Sequence, residues 1–159
     1  MKVIRVFALL VSWCLLCASC GVKEEFQMGI QLGAGLNKGI VFYVKDASIN
    51  AVLCQINEVN FQIEEITERS ESRALSSDEM EKVNEYLEKI KDIQDTEFLD
   101  PGIKGRPFMT LYYKNRRYCA DFHTDTITGY PYGEGYKILN EFADYVATLM
   151  PEFVQKLGK

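Results

Sequence analysis

The chain has 159 residues, a length that fits a single globular domain with one hydrophobic core. It carries 23 acidic and 18 basic side chains, a formal net charge of −5. This balance argues against nucleic acid as a partner, because the phosphate backbone is itself negative.

The N-terminal residues 1–19 have the layout of a secretory signal. Lys2 and Arg5 give a positive start, an apolar run over 6–16 follows, and two small residues end the segment. A helix that spans a membrane needs about 20 apolar residues, and charge returns at Lys23. The pattern therefore predicts a cleaved signal peptide rather than a permanent membrane anchor.

The stretch Cys17-Ala18-Ser19-Cys20 resembles the lipobox of bacterial lipoproteins, although leucine is usual where Cys17 stands. The resemblance implies that Cys20 carries a thioether-linked diacylglycerol and becomes the new N-terminus. Acyl chains such as palmitate would then hold the protein in a membrane. A metal or disulfide cluster is disfavoured, because Cys14 and Cys17 lie in the apolar run and no second ligand pair of zinc-like spacing follows.

Charged residues follow the lipobox at once. The stretch 21–25 resembles the surface-export signal of lipoproteins from the Bacteroidetes, and a plain solvated linker is the alternative. The predicted location is thus the cell envelope, lipid-anchored at the outer membrane, with the periplasmic and the surface face both open. The predicted organisation is a signal peptide at 1–19, a lipidated N-terminus and tether at 20–25, and one α+β domain at 26–159.

Signal cleavage makes the remaining chain more acidic. Since Lys2 and Arg5 leave with the signal, 16 of the 18 basic side chains remain against 23 acidic ones, a formal charge of −7.

The first part of the domain is rich in β-type patterns. Alternation over 26–32 and the β-branched and aromatic run 39–45, joined by turn residues, predict a hairpin. Residues 46–58 fit either a short helical turn or a strand, and 59–66 predict a strand. The charged, serine-rich stretch 68–77 predicts a loop.

A helix follows. Ser76 as N-cap with Glu79 three residues later predicts a capping box, and the apolar stripe over 80–90 has helical spacing. Glu85 and Lys89 are predicted to form a surface ion pair at i,i+4.

The second half repeats this layout. Alternating residues at 108–113 and 118–124 predict two strands around a turn at 114–116, and the stripe over 139–149 predicts a helix that Pro151 ends. The predicted fold is therefore α+β, an antiparallel sheet built from hairpins with two main amphipathic helices packed on one face.

One predicted strand carries reactive side chains. Period two places Cys119, Asp121 and the only histidine, His123, on one face. These groups occur in Cys–His hydrolases and in metal sites. However, the Cα atoms of Cys119 and His123 would lie about 13 Å apart on a strand, too far for a direct catalytic pair. Cys54 and Cys119 fit either a disulfide or two buried thiols.

The loop 129–136, Gly-Tyr-Pro-Tyr-Gly-Glu-Gly-Tyr, precedes the second helix. Tyrosine and glycine suit recognition loops, and Pro131 restrains the backbone beside Tyr130. We predict Tyr130, Tyr132 and Glu134 as the binding residues. The alternative is that these rings cover the sheet edge and the start of the helix.

The predicted function is that of a non-catalytic interaction module of accessory, inhibitory or immunity type, with membrane lipid and an envelope protein as partners. A small-molecule or glycan binder that uses the tyrosine loop is one alternative, and a Cys/His hydrolase is another. No cofactor and no metal is predicted, since the acidic stretch 95–100 lacks the spacing of a calcium loop.

Overall fold

A computed structural model describes residues 25–31, 38–57, 63–94, 108–121 and 133–155. Within these ranges seven strands form one antiparallel sheet, accompanied by three helices, so the predicted α+β class with an antiparallel sheet is confirmed. The strands are β1 (Phe26–Gln31), β2 (Lys38–Lys45), β3 (Ser48–Ile56), β4 (Ile63–Arg69), β5 (Arg73–Ala74), β6 (Phe108–Tyr113) and β7 (Arg116–Asp121). The helices are α1 (Ser77–Asp92), α2 (Glu134–Thr148) and α3 (Pro151–Gln155). None of the described helices is long and apolar enough to cross a bilayer.

The strand order in the sheet is β4-β3-β2-β1-β6-β7. The two predicted hairpins, β1 with β2 and β6 with β7, are confirmed as antiparallel pairs. β1 also pairs with β6, which joins the two halves of the chain. β3 pairs with β2 on one side, and on the other side it pairs with β4 from Val52 to Ile56 and with β5 at Ser48 and Ile49.

Two-residue turns join β2 to β3 and β6 to β7. Asp46 and Ala47 have φ of 52° and 57°, and Lys114 and Asn115 have φ of 47° and 62°. Positive φ at both central residues is the type I′ geometry, whose twist matches that of the flanking strands. The predicted turn at 114–116 was one residue too long, because Arg116 already belongs to β7. We call this end of the sheet, with both turns and the start of β1, the turn end.

The ambiguous stretch after the first hairpin is a strand, β3. Its apolar residues fall on both faces: Ile49 and Ala51 enter the main core, while Val52 and Cys54 are buried on the other side. A strand buried on both faces has apolar residues at odd and at even positions. Some of these residues then lie three or four positions apart, the spacing that is typical of a helix. The next strand, β4, begins at Ile63 rather than at residue 59, and 58–62 lie outside the described residues.

The predicted loop at 68–77 is wrong for half of its residues. β4 extends to Arg69, residues Arg73–Ala74 form β5, and α1 begins at Ser77. Charged residues are typical of a loop, but some of those in this stretch lie on β4. This strand has only β3 as a neighbour among the described strands, and most of its side chains are exposed. Polar residues are compatible with a strand in that position.

The main core joins alternate residues of the strands to the buried residues of α1 and α2. Met28, Phe42 and Leu111 are fully buried on the strand side. Tyr86 of α1 stacks on Phe142 of α2, with ring centroids 5.2 Å apart.

A smaller cluster lies on the opposite face of the sheet, which we call the second face. Val41, Val52, Cys54 and Ile56 are buried there.

The capping box of α1 is confirmed. The backbone N–H of Glu79 donates to Oγ of Ser76 at 3.2 Å, and the N–H of Ser76 donates to Oε2 of Glu79 at 2.8 Å. The predicted pair of Glu85 with Lys89 is wrong, since Glu85 accepts from Lys82 at 3.3 Å. A lysine at i−3 competes with one at i+4 for the same exposed carboxylate, and either ion pair adds little to the stability of the helix.

Candidate functional site

A cleft lies where the edge of the sheet meets the break between α2 and α3, and we call it the junction cleft. Its volume of about 720 Å³ is typical of small-ligand pockets. One wall follows β4 into β5, and the other wall links α2 to α3. The lining residues are Arg69, Ser70, Glu71 and Arg73 on the first wall and Thr148, Leu149, Met150, Pro151, Glu152 and Phe153 on the second.

Arg73 ties the two walls together. Its Nε donates to the carbonyl oxygen of Leu149 at 3.1 Å, and its Nη1 and Nη2 donate to the two carboxylate oxygens of Glu79 at 2.9 and 3.0 Å. The hydrogen bonds from Arg73 are the main reason that the pKa of Glu79 is lowered, and the N–H of Ser76 adds to the effect. The same pairing raises the pKa of Arg73. The two parallel bonds to Glu79 orient the guanidinium of Arg73, and the bond from its Nε to Leu149 joins the two walls.

The hydroxyl groups of the cleft are engaged in internal hydrogen bonds. Oγ of Ser70 accepts from the N–H of Ala51 at 2.6 Å, and Oγ1 of Thr148 donates to the carbonyl oxygen of Tyr145 at 2.6 Å. The lining residues include neither histidine nor cysteine. Both hydroxyls therefore help to fix the backbone around the cleft.

The floor and the rim of the cleft differ in character. Leu149 and Phe153 are buried and give an apolar floor. Arg69, Glu71 and Glu152 are exposed and place both signs of charge at the rim. This combination fits an amphipathic ligand that carries both charges, or a short segment of another polypeptide.

A second feature is a row of polar and aromatic side chains across the second face, near the turn end. The register places Asn50, Tyr43, Gln27, Tyr112 and Arg117 side by side on five neighbouring strands. Tyr112 is 41% exposed, and its ring centroid lies 6.0 Å from the guanidinium of Arg117. Burial is the main cause that raises the pKa of Tyr43.

The strand β7 bears out part of the predicted alternation. Tyr118 and Ala120 are buried in the main core, on the face opposite to that of Cys119. Cys119 points to the second face, half-buried, with its Sγ 3.7 Å from Oγ1 of Thr110. β7 includes Asp121, whose side chain is not described, and His123 lies outside the described residues. The predicted separation of Cys119 and His123, too large for a direct catalytic pair, therefore stays a prediction.

Cys54 and Cys119 are both free thiols. They lie on β3 and β7, four strand spacings apart, which is about 19 Å, whereas a disulfide needs Cα atoms within about 7 Å. A disulfide within one chain is therefore excluded. Sγ of Cys54 donates to the carbonyl oxygen of Gly39 at 3.5 Å, and burial raises the pKa of Cys54 to about 11, so this thiol is unreactive at neutral pH.

Of the predicted binding residues, the structure describes only Glu134, and it does not line the junction cleft. Glu134 is exposed in the first turn of α2, whereas the cleft lies at the other end of this helix, about 21 Å away along 14 residues. Tyr130 and Tyr132 lie outside the described residues. Tyr136 is partly buried and packs on the main core.

Sequence reasoning missed the junction cleft because its two walls are 75 to 84 residues apart in the chain. One signal was present: Pro151 interrupts an apolar helical stripe, and a helix break often leaves backbone groups for another partner. Here the carbonyl of Leu149 is used by Arg73, a pairing that no local pattern indicates.

Comparison of the chain with protein-family models and with curated proteins gave no match. Among the described residues, no group of three or more His, Cys, Asp or Glu side chains is placed to hold a metal ion.

Proposed function

We propose that this protein is a lipid-anchored envelope protein whose domain is a non-catalytic binding module of the accessory, inhibitory or immunity type. The junction cleft carries the proposal, because its walls are fixed by Arg73 and its rim offers both signs of charge. In this arrangement α1 and α2 pack together on one face of the sheet, supported by the main core that they share with alternate strand residues. Acylated Cys20 anchors the domain to the outer membrane.

The ligand that fits best is a segment of a protein partner. The cleft is open beyond the end of β4, where Arg69, Ser70 and Glu71 leave room for a bound segment between the sheet and α3. An extended peptide placed there meets the apolar floor at Leu149 and Phe153 and the charges of Arg69 and Glu152 at the rim. Pockets for alternate side chains and rim charges give specificity in such complexes.

Binding is tested with rim variants. Arg69→Glu and Glu152→Arg change exposed side chains, so the fold stays intact while the charge pattern of the cleft reverses. The matched control is Lys137→Glu with Glu141→Arg, which are exposed on α2 and do not line the cleft. We expect the cleft variant, but not the control, to lose at least about tenfold in affinity for the partner isolated from detergent-solubilised envelope. Equal capture by both variants would place the binding site elsewhere.

The anchor is tested separately. Cys20→Ser removes the only side chain that the lipobox resemblance assigns to acylation, so the protein should leave the detergent-rich phase in a phase-partition assay. If partition is unchanged, lipidation fails and an uncleaved N-terminal segment is the better account.

A small molecule is the second candidate ligand, favoured by the volume of about 720 Å³. Mass spectrometry of the protein purified under native conditions would detect it. A compound retained by the wild type and by the control variant, but lost from the cleft variant, would replace the peptide as the ligand.

A further inference from the structure

The start of the described chain lies close to the predicted acylation site. β1 begins at Phe26 at the turn end, where Oε1 of Glu25 lies 3.7 Å from Nζ of Lys45. Cys20 precedes Phe26 by six residues, a span of at most about 20 Å in a fully extended chain. An anchor at Cys20 therefore keeps the turn end near the bilayer surface, whatever path the tether takes.

The turn end carries a group of cations. Four exposed basic side chains lie there: Lys45, Lys114, Arg116 and Arg117. Those of the second hairpin lie 4.9, 5.3 and 6.0 Å from the ring centroids of Tyr113, Tyr118 and Tyr112, respectively. Contact with an aromatic face orients a cation and leaves its charge in place.

The hairpin β6–β7, residues 108–121, has three basic residues, Lys114, Arg116 and Arg117, and one acidic residue, Asp121. Glu25 is ion-paired, and Asp46 lies in the neighbouring turn. Glu88 of α1 has a lowered pKa, chiefly because it accepts a hydrogen bond from Lys91, with a smaller effect from Lys114. The hairpin is therefore locally basic in a chain whose net charge is −5.

An exposed aromatic ring completes the surface. Tyr112 stands beside Arg117 on the second face and is 41% exposed. Tyrosine is enriched where proteins meet the membrane–water interface, since its ring is apolar and its hydroxyl is polar. Basic side chains near an anionic bilayer add attraction within about 10 Å of the surface.

We propose that the turn end, through Tyr112, Arg116 and Arg117, docks on the anionic phospholipid head groups of the membrane that holds Cys20. This inference rests on the proposed lipid anchor. It fixes the orientation of the domain, because the junction cleft lies at the β4–β5 edge of the sheet while the docked hairpin forms the opposite edge. The cleft then stays accessible to a partner beside the membrane.

The test places a tryptophan reporter in the acylated mature protein, reconstituted into vesicles. Trp13, the one tryptophan of the chain, leaves with the signal peptide, so Tyr112→Trp adds the sole reporter. Ile66→Trp is the matched control, because Ile66 is 39% exposed on the same face of the sheet but lies four strands away, at about 19 Å. The vesicles contain brominated phosphatidylcholine, with or without phosphatidylglycerol, and flotation measures anchoring independently of quenching.

We expect bromine to quench tryptophan at position 112 and not at position 66, and only when phosphatidylglycerol is present. Arg116→Glu with Arg117→Glu should lower the docked fraction at least about tenfold, while Lys38→Glu with Lys137→Glu, an equal change in charge, should not. Vesicles that float with the protein but leave position 112 unquenched would overturn the docking and leave the anchor intact. Equal quenching without phosphatidylglycerol would overturn the electrostatic recognition. Failure of the wild-type protein to float would instead reject the anchor itself.

Discussion

The carboxylate of Glu79 accepts hydrogen bonds from the guanidinium of Arg73 and from the backbone N–H of Ser76, so one side chain serves both the helix cap and the cleft. Its pKa is lowered in the folded protein. A carboxyl with a depressed pKa adds stability at pH values above its unfolded pKa, and this stability is lost as pH falls through the folded pKa. Part of the acid sensitivity of the domain should therefore come from this residue.

Glu79→Gln removes the charge but keeps the capping box. The glutamine side chain can accept from the backbone N–H of Ser76, and the backbone N–H of residue 79 still donates to the Ser76 hydroxyl. Because the pair is partly exposed, we expect a loss of about 1 kcal/mol in the free energy of unfolding at pH 7 and a shallower fall in stability below pH 4.5. Urea unfolding at pH 7 and at pH 3 measures both effects. Glu81→Gln, exposed on the same helix, is the control and should change neither.

Ala47 has a φ of 57°, a conformation that costs residues with a Cβ more than glycine. We expect Ala47→Gly to raise the free energy of unfolding by about 0.5 to 1 kcal/mol, because glycine fits the type I′ turn without strain. Ala147→Gly, in the helix α2, should instead lower it by about 1 kcal/mol. If both changes destabilise equally in thermal unfolding, the turn is not strained.

Two glycines of the sheet have opposite surroundings. A Cβ at Gly39 of β2 would lie 2.2 Å from Cδ1 of Ile56 and 3.0 Å from the backbone oxygen of Ile30, whereas a Cβ at Gly29 of β1 meets only Cγ2 of Val41 at 3.9 Å. We expect Gly39→Ala to cost about 1 to 3 kcal/mol through overpacking. Gly29→Ala should lie within about 0.5 kcal/mol of the wild type. Chemical denaturation of both variants makes the comparison, and equal losses would contradict it.

Elements with purely local signals were predictable from the sequence. The capping box at Ser76 and Glu79 and the hairpin β6–β7 depend on residues a few positions apart, and both are confirmed. β5 has only two residues and exists because Ala74 and Arg73 pair with Ser48 and Ile49. No periodicity can report such a contact, since its cause lies 25 residues earlier in the chain.

At the scale of the molecule, the two candidate binding surfaces belong to segments at opposite ends of α2 in the sequence. The junction cleft is at the C-terminal end of this helix, whereas Tyr130 and Tyr132 precede it in the chain and Glu134 is its first residue. Composition could single out the loop because tyrosine and glycine cluster in sequence. The cleft depends on tertiary pairing of distant segments, which composition does not encode.

The loop prediction has its own test. Tyr130→Ala with Tyr132→Ala should weaken partner binding by about 2 kcal/mol, the scale of an interface hot spot, and leave thermal stability almost unchanged. Tyr136→Ala should do the reverse, because this ring packs on the main core. Measuring these variants together with the rim variants at Arg69 and Glu152 shows which of the two surfaces binds the partner. If the double change unfolds the domain but each folded molecule still binds as well as the wild type, the loop is not the binding surface.

One side of β3 pairs with two separate strands, β4 and β5, and this arrangement affects how copies of the protein can associate. The backbone leaves the sheet between Arg69 and Arg73, and the pairing of β3 with β4 shifts register twice. A strand from another copy needs a long, regular row of free backbone groups to attach, and this edge offers seven residues, with Glu64 and Glu65 exposed, and then a gap. An edge that resists strand addition disfavours the growth of fibrils wherever many copies of the protein meet.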